Sequence, residues 1–146
     1  MNLPDPKTLR EEAAKNAAEI KRLADEKAAR EVQEAAEARK VRIATRIEAI
    51  LGSAAGTIEW AVKMGRTEAW IEGERVNQHA YRLTDLKEET QEVWRAVMQE
   101  LEAQGYRTRI DTHHVPEMSE SGSDGYFFAA EDYLELAVDW SDTPSA

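Results

Sequence analysis

Residues 7–51 contain neither Gly nor Pro, and of these 45 residues 12 are Ala and 20 are charged. Ala is the best helix former, and Lys, Arg and Glu lose little side-chain freedom in a helix. The stretch therefore predicts one long helix. Two start signals stand at its beginning. Asp5-Pro6 places an acceptor at the N-cap and Pro at the first helical position, and Thr8 with Glu11 has capping-box spacing.

The apolar pattern divides this helix. Large apolar residues are sparse up to residue 40 (Leu9, Ile20, Leu23, Val32). The residues that recur in steps of three and four are mostly small: Ala13, Ala17, Ile20, Ala24, Ala28, Val32 and Ala35. Their steps drift toward an 11-residue repeat rather than a heptad, which predicts a coiled-coil-like contact that is straight or slightly right-handed. Residues 1–40 are thus expected to project as a homo-oligomerisation segment, with those seven residues as its seam. Glu11–Lys15 and Glu26–Arg30 are expected as i,i+4 ion pairs. The competing expectation is a solvated helix held by Ala propensity and ion pairs alone.

From Val41 the stripe deepens. Ile43, Ile47, Ile50, Leu51, Ala54, Ile58, Ala61 and Val62 keep the helical spacing to about Met64, and Gly65 reads as a C-terminal stop. Gly52 and Gly56 lie inside this part. A Gly in a helix interior costs about 1 kcal/mol relative to Ala, so the pair predicts a close helix crossing or a bend.

The period then changes. Residues 67–73 alternate as a strand. A helix is expected from Asp85-Leu86-Lys87-Glu88, capped by Thr84 or Asp85, with Leu86, Val93, Val97 and Leu101 on its apolar face, Trp94 beside that face, and a stop at Gly105. Residues 106–112 read as a second strand, 116–125 as a flexible loop, and 133–140 as a third strand. In that last strand Leu134, Leu136, Val138 and Trp140 are expected on a buried face, and Tyr133, Glu135, Ala137 and Asp139 on a solvated one. The fold class is α+β: a long N-terminal helix, then a small three-stranded sheet packed on two helices, in the order α-β-α-β-β. The body is expected over 41–140, with 141–146 as a tail. The first two strands should run parallel if they are neighbours, and the last two should form an antiparallel hairpin.

Composition narrows the chemistry. The absence of Cys excludes disulfides, thiolate catalysis and a Cys-type zinc site. No apolar run approaches 18 residues, so no membrane helix or membrane partner is expected. MNLPDPKTLR lacks the apolar core of a signal peptide. Residues 1–66 hold 13 Lys and Arg against 11 Asp and Glu, net +2; residues 67–146 hold 6 against 18, net −12. An acidic body repels phosphate backbones, so direct duplex binding is not expected. Solubility accounts for the charge in the simplest way; competition for a basic site on another protein is the other use.

Few residues suggest catalysis. Asp111-Thr112-His113-His114, with His79, is the only His/Asp cluster, and a metal there lacks a third ligand in the pattern. Ser119, Ser121 and Ser123 near Asp124 show no positioned base and no G-x-S-x-G. No phosphate loop or dinucleotide fingerprint occurs. No cofactor, metal or catalytic residue is therefore expected. Glu68 and Glu72 share a strand face with Trp70, and with Ala69 and Ile71 buried opposite, Trp70 is expected exposed or covered by another chain. An exposed Trp is a common interface anchor. Glu68, Trp70, Glu72 and the aromatic residues Tyr126 and Phe127 form the candidate partner surface. Arg39, Lys40, Arg42 and Arg46 make the one dense basic patch, suited to acidic groups of a neighbouring chain.

The run Ala61-Val62-Lys63-Met64-Gly65-Arg66-Thr67-Glu68-Ala69-Trp70-Ile71 reads helix, Gly stop, strand. Residues 101–110 (LEAQGYRTRI) repeat that pattern, and Leu136-Ala137-Val138-Asp139-Trp140 closes a hairpin. Over about residues 43–140 this resembles small α+β proteins encoded by tailed bacteriophages. The resemblance carries over no site residue. It implies phage origin, as a virion component or an early protein that binds a host defence factor. Together with the Ala seam and the lack of a catalytic motif, the expectation is a non-enzymatic virion component, structural or assembly-related, that binds itself and other proteins. The alternative is an acidic anti-defence inhibitor that binds a host factor or sequesters a small ligand. Virion or host cytoplasm is the implied location.

Overall fold

A computed structural model describes residues 2–77, 80–116, 118–119, 127–128 and 130–142. Two compact units divide the chain, Met1–Arg42 and Ile43–Ala146. Helix α1 runs Pro6–Lys63. Its start is the Asp5-Pro6 signal: the Leu9 amide donates to the Asp5 carbonyl at 3.1 Å, and the Thr8 hydroxyl turns back to the Asp5 carboxylate at 3.4 Å. Thr8 is therefore inside the helix and is not its N-cap.

In the first unit, Arg22 holds both Glu19 and Glu26, Lys27 lies 4.0 Å from Glu31, and Lys40 lies 3.6 Å from Glu37. Glu26 thus faces Arg22, four residues N-terminal, rather than Arg30. Exposed pairs of this kind add little, because water screens them and holding two long side chains in place costs entropy.

In the second unit, α1 buries Ile50, Ala54 and Ala61, with Ile43, Ile47, Leu51 and Ile58 partly buried beside them. Val41 and Val62, expected on this face, lie off it and are exposed. The helix runs unbroken through Gly52 and Gly56. A Cβ at either position would meet no atom within 4 Å, so no close crossing requires them. Ala substitution there only removes backbone freedom from the unfolded chain. Gly52→Ala and Gly56→Ala are each expected to stabilise by about 0.5–1 kcal/mol, read as a rise in urea midpoint at unchanged slope.

Both helices end alike. The Arg66 amide donates to Ala61 and the Gly65 amide to Val62; the Tyr106 amide donates to Leu101 and the Gly105 amide to Glu102. This is the Schellman pattern, and it needs a positive φ, found at Gly65 (74°) and Gly105 (96°). Strand β1 (Glu68–Val76) follows the first stop, and β2 (Arg107–Val115) the second.

Between β1 and the second helix a 3-10 turn spans Leu83–Asp85, and α2 begins only at Glu88, running to Ala103. Asp85 caps this turn rather than the helix. Its carboxylate accepts from the Tyr81 and Arg82 amides at 2.8 and 3.0 Å, and these donors hold its pKa below the ordinary carboxylate value. Leu86, Thr90, Val93, Trp94, Val97 and Leu101 are buried. Trp94 thus lies in the core, not beside it. Thr90 accepts from Arg46 of α1 at 3.2 Å.

Strand β5 (Glu131–Asp139) is central, antiparallel to both β1 and β2, in the order β1-β5-β2. The first two strands are therefore not neighbours. The run Leu134–Val138 explains the choice, since a central strand is covered by neighbours on both sides. Leu134, Leu136 and Val138 join α1 and α2 in one core, while Trp140 meets Tyr106 edge to face at 6.4 Å. Ala137 and Asp139, expected in solvent, are buried as well. β3 (Met118–Ser119) pairs with β4 (Phe127–Phe128), so part of the segment read as a flexible loop is a short ladder.

Candidate functional site

Register fixes which side chains share a face of the sheet. Ala69, Glu72, Glu74 and Val76 of β1 lie opposite Val138, Leu136, Leu134 and Asp132, on the helix-covered face. Glu68, Trp70, Gly73 and Arg75 lie opposite Asp139, Ala137, Glu135 and Tyr133, on the outer face. The switch comes from a bulge between Trp70 and Glu72, which inserts one residue and inverts the alternation beyond it. Glu72 therefore does not share the Glu68/Trp70 face. Its carboxylate accepts from the Gly73 amide at 3.1 Å.

The outer face is organised around Arg109, paired with Ala137 and hence in the same row as Trp70. Its guanidinium donates to Asp111 at 2.9 Å and to Glu68 at 2.8 Å, and the Trp70 indole N–H donates to the second Asp111 oxygen at 2.8 Å. The Asp111 carboxylate, with Glu68 adding to it, raises the Arg109 pKa further above its ordinary value; partial burial works against them. This Glu68–Arg109–Asp111–Trp70 chain covers Ala137 and explains why the central strand has no bare face. Farther along, Arg75 lies 3.4 Å from Glu131, and Tyr133 donates to Glu131, which raises the phenol pKa. At the other end Arg107 bonds Ser141 and lies 3.6 Å from buried Asp139, whose oxygen also accepts from the Ser141 amide at 2.7 Å.

The result is a mixed-charge platform with one apolar projection. Trp70 remains 42% exposed while its N–H is held by Asp111. Its orientation is therefore fixed by a bond within the sheet while the ring stays open to solvent. Arg109, the hub, had no signal in the sequence beyond its alternation with Asp111. Tyr126 lies outside the described residues. Phe127 is placed only by its pairing with Ser119.

The His/Asp cluster splits in the fold. Asp111 is committed to Arg109 and Trp70, whereas His113 and His114 line an open cleft of about 290 Å³ with Tyr81, Thr112, Asp132 and Tyr133. His114 Nδ1 bonds Asp132 across the β2–β5 pair. Among the described residues no three His, Asp or Glu side chains gather as metal ligands. His79, Ser121, Ser123 and Asp124 lie outside the described residues.

The expected seam has a different setting. Ala13, Ala17, Ile20, Ala24, Ala28, Val32 and Ala35 are all exposed, as is every residue from 2 to 38. Of the basic patch, Arg46 is half-buried on Thr90, and Lys40 faces Glu37. No described helix is long and apolar enough to cross a membrane. Compared with known proteins, the chain matches no family model, no curated protein and no solved structure.

Proposed function

We propose that this is a non-catalytic, self-associating structural or assembly protein of the kind tailed bacteriophages encode. Its Ala seam pairs with a second copy, and its body offers the Trp70 platform to another protein. The observation that carries this reading is the exposure of the first unit. Leu9, Ile20, Leu23 and Val32 are 47–70% exposed on a helix with no buried residue before Ile50. Helical stability in proteins comes mostly from packing an apolar face, and the few exposed ion pairs here supply little. Ala at the seam permits interaxial distances near the short end of the usual ~8–10 Å range. Charge is compatible with a second copy at the seam: residues 1–66 are near neutral at +2.

The test is mass by light scattering across a concentration series, with Ala17→Glu, Ala24→Glu and Ala28→Glu combined. Wild type is expected as an oligomer and the triple variant at a smaller mass, with the unfolding midpoint of the body unchanged. A wild-type monomer at the highest concentration, or a variant of unchanged mass, would sink the reading. A monomer that binds a basic protein in a salt-sensitive manner would favour the inhibitor reading instead.

A further inference from the structure

The sheet has two edges, and they differ. β1 carries the devices that keep an edge from pairing: the bulge at Trp70/Glu72 and two carboxylates, Glu72 and Glu74, on the helix-covered face. β2 carries none of these. Its nine residues hold one unbroken register with β5, contain no Pro, and place Thr108, Ile110, Thr112 and His114 on the helix-covered face. Among the described residues no strand pairs with its other side.

The β2 sequence, RTRIDTHHV, is self-complementary about Ile110. Two copies running antiparallel with Ile110 opposite Ile110 put Thr108 against Thr112 on the helix-covered face. On the outer face, Arg109 of each copy then stands against Asp111 of the other. Aliphatic pairs, Thr–Thr pairs and opposite charges are the cross-strand pairs that stabilise a ladder, each by a fraction of a kcal/mol up to about 1. Neighbouring registers that keep the faces matched are worse. Centring on Asp111 sets two carboxylates face to face, centring on Arg109 sets two guanidinium groups together, and centring on Thr112 puts Ile110 against His114 and Thr108 against Pro116. A one-residue slip would exchange the faces altogether.

The geometry points to the β2 edge as a docking surface for the β2 edge of a second copy, two-fold symmetric about Ile110, so that two three-stranded sheets join into one of six strands. Arg109 and Asp111 would then extend the Glu68–Arg109–Asp111–Trp70 chain across the dyad. This contact uses no residue of the α1 seam and stands apart from the helix pairing proposed above.

The chain has no Cys, so single Cys substitutions report register cleanly. Residues directly opposite in an antiparallel pair have Cβ atoms about 4.5–5.5 Å apart, close enough for a disulfide after slight adjustment. Position 112 is offset from its own copy by four residues, roughly 13 Å, which is too far. In the full chain under mild oxidation, Ile110→Cys is expected to give a covalent dimer on a non-reducing gel. Thr112→Cys alone should give at least ten-fold less. A mixture of Thr108→Cys and Thr112→Cys should crosslink where neither does by itself, and this mixture decides the matter if Ile110→Cys folds poorly. Efficient crosslinking of Thr112→Cys with itself, or none from the mixture, overturns the proposal. The same set is repeated in the Ala17/Ala24/Ala28→Glu background. Crosslinks that persist there support an edge contact independent of the helix; their loss there alone overturns that independence. Failure of the helix reading shows instead as unchanged mass of that background.

Discussion

Replacing Trp94 by Ala is expected to destabilise the body by about 3–5 kcal/mol, a large share of the ~5–15 kcal/mol that holds a small domain together. Trp94 has no exposed surface and packs in one cluster with Val93, Val97, Leu134, Leu136 and Ile50. Removing the indole leaves a cavity at the junction of both helices and the central strand, where three elements must collapse together to fill it. Its Nε1 has no acceptor among the described residues, so the side chain stabilises through shape and area alone. Trp94→Phe should therefore cost much less, below about 2 kcal/mol, because the lost contacts are offset by removal of a buried donor whose burial is itself unfavourable. Urea unfolding of both variants, followed by near-ultraviolet circular dichroism, checks this. Equal losses would mean that the fit of the whole indole, and not the burial of an aromatic ring alone, holds the core together.

The second large effect separates the two parts of one helix. Ala54→Glu places a carboxylate at a position 1% exposed, against the core cluster, and should cost about 3–5 kcal/mol. Ala18→Glu, on the same helix and off the seam, should change stability by no more than about 0.5 kcal/mol, since Ala18 is exposed and Glu is a good helix former. Calorimetric midpoints decide it. Similar losses at both positions would show that α1 packs along its whole length, against the exposure of residues 2–38. Gly52 and Gly56 should respond in the opposite sense to Ala54, although they lie within two residues of it, because they point away from the core.

These contrasts follow from the part of the fold that is periodic. A helix buries one face of a repeating pattern, so Ile50, Ala54 and Ala61 were legible in the spacing alone, and so were Val93, Val97 and Leu101. The stops at Gly65 and Gly105 were legible for the same local reason: a Schellman turn needs one residue at positive φ, and Gly supplies it without strain. The start of α2 was not. Asp85 has the chemistry of an N-cap, yet Leu86 is buried between the 3-10 turn and the helix, and satisfying that apolar contact delays the helix by a turn.

The candidate platform shows the same division. That Trp70 is exposed opposite buried Ala69 and Ile71 follows from strand alternation. That Glu72 leaves the Trp70 face does not, because one inserted residue at the bulge reverses every side chain after it, and nothing in EAWIEG marks the insertion. Asp111 stood out in the sequence beside His113 as a metal candidate; in the fold its two oxygens go to Arg109 and Trp70. Arg109 reaches Glu68 across 41 positions of sequence through a strand that lies between them.

By itself the sequence determined the long elements, the glycine stops of both helices, most of each helix's apolar face and the α+β class, because these depend on periods, caps and breakers within about ten residues. Only the tertiary structure decided that β5 lies between β1 and β2, that the central strand is covered on both faces, and that a guanidinium joins two carboxylates and an indole into one surface. Those outcomes depend on which strands pair and in what register. Pairing is settled by the burial of the whole core, not by any local run of residues.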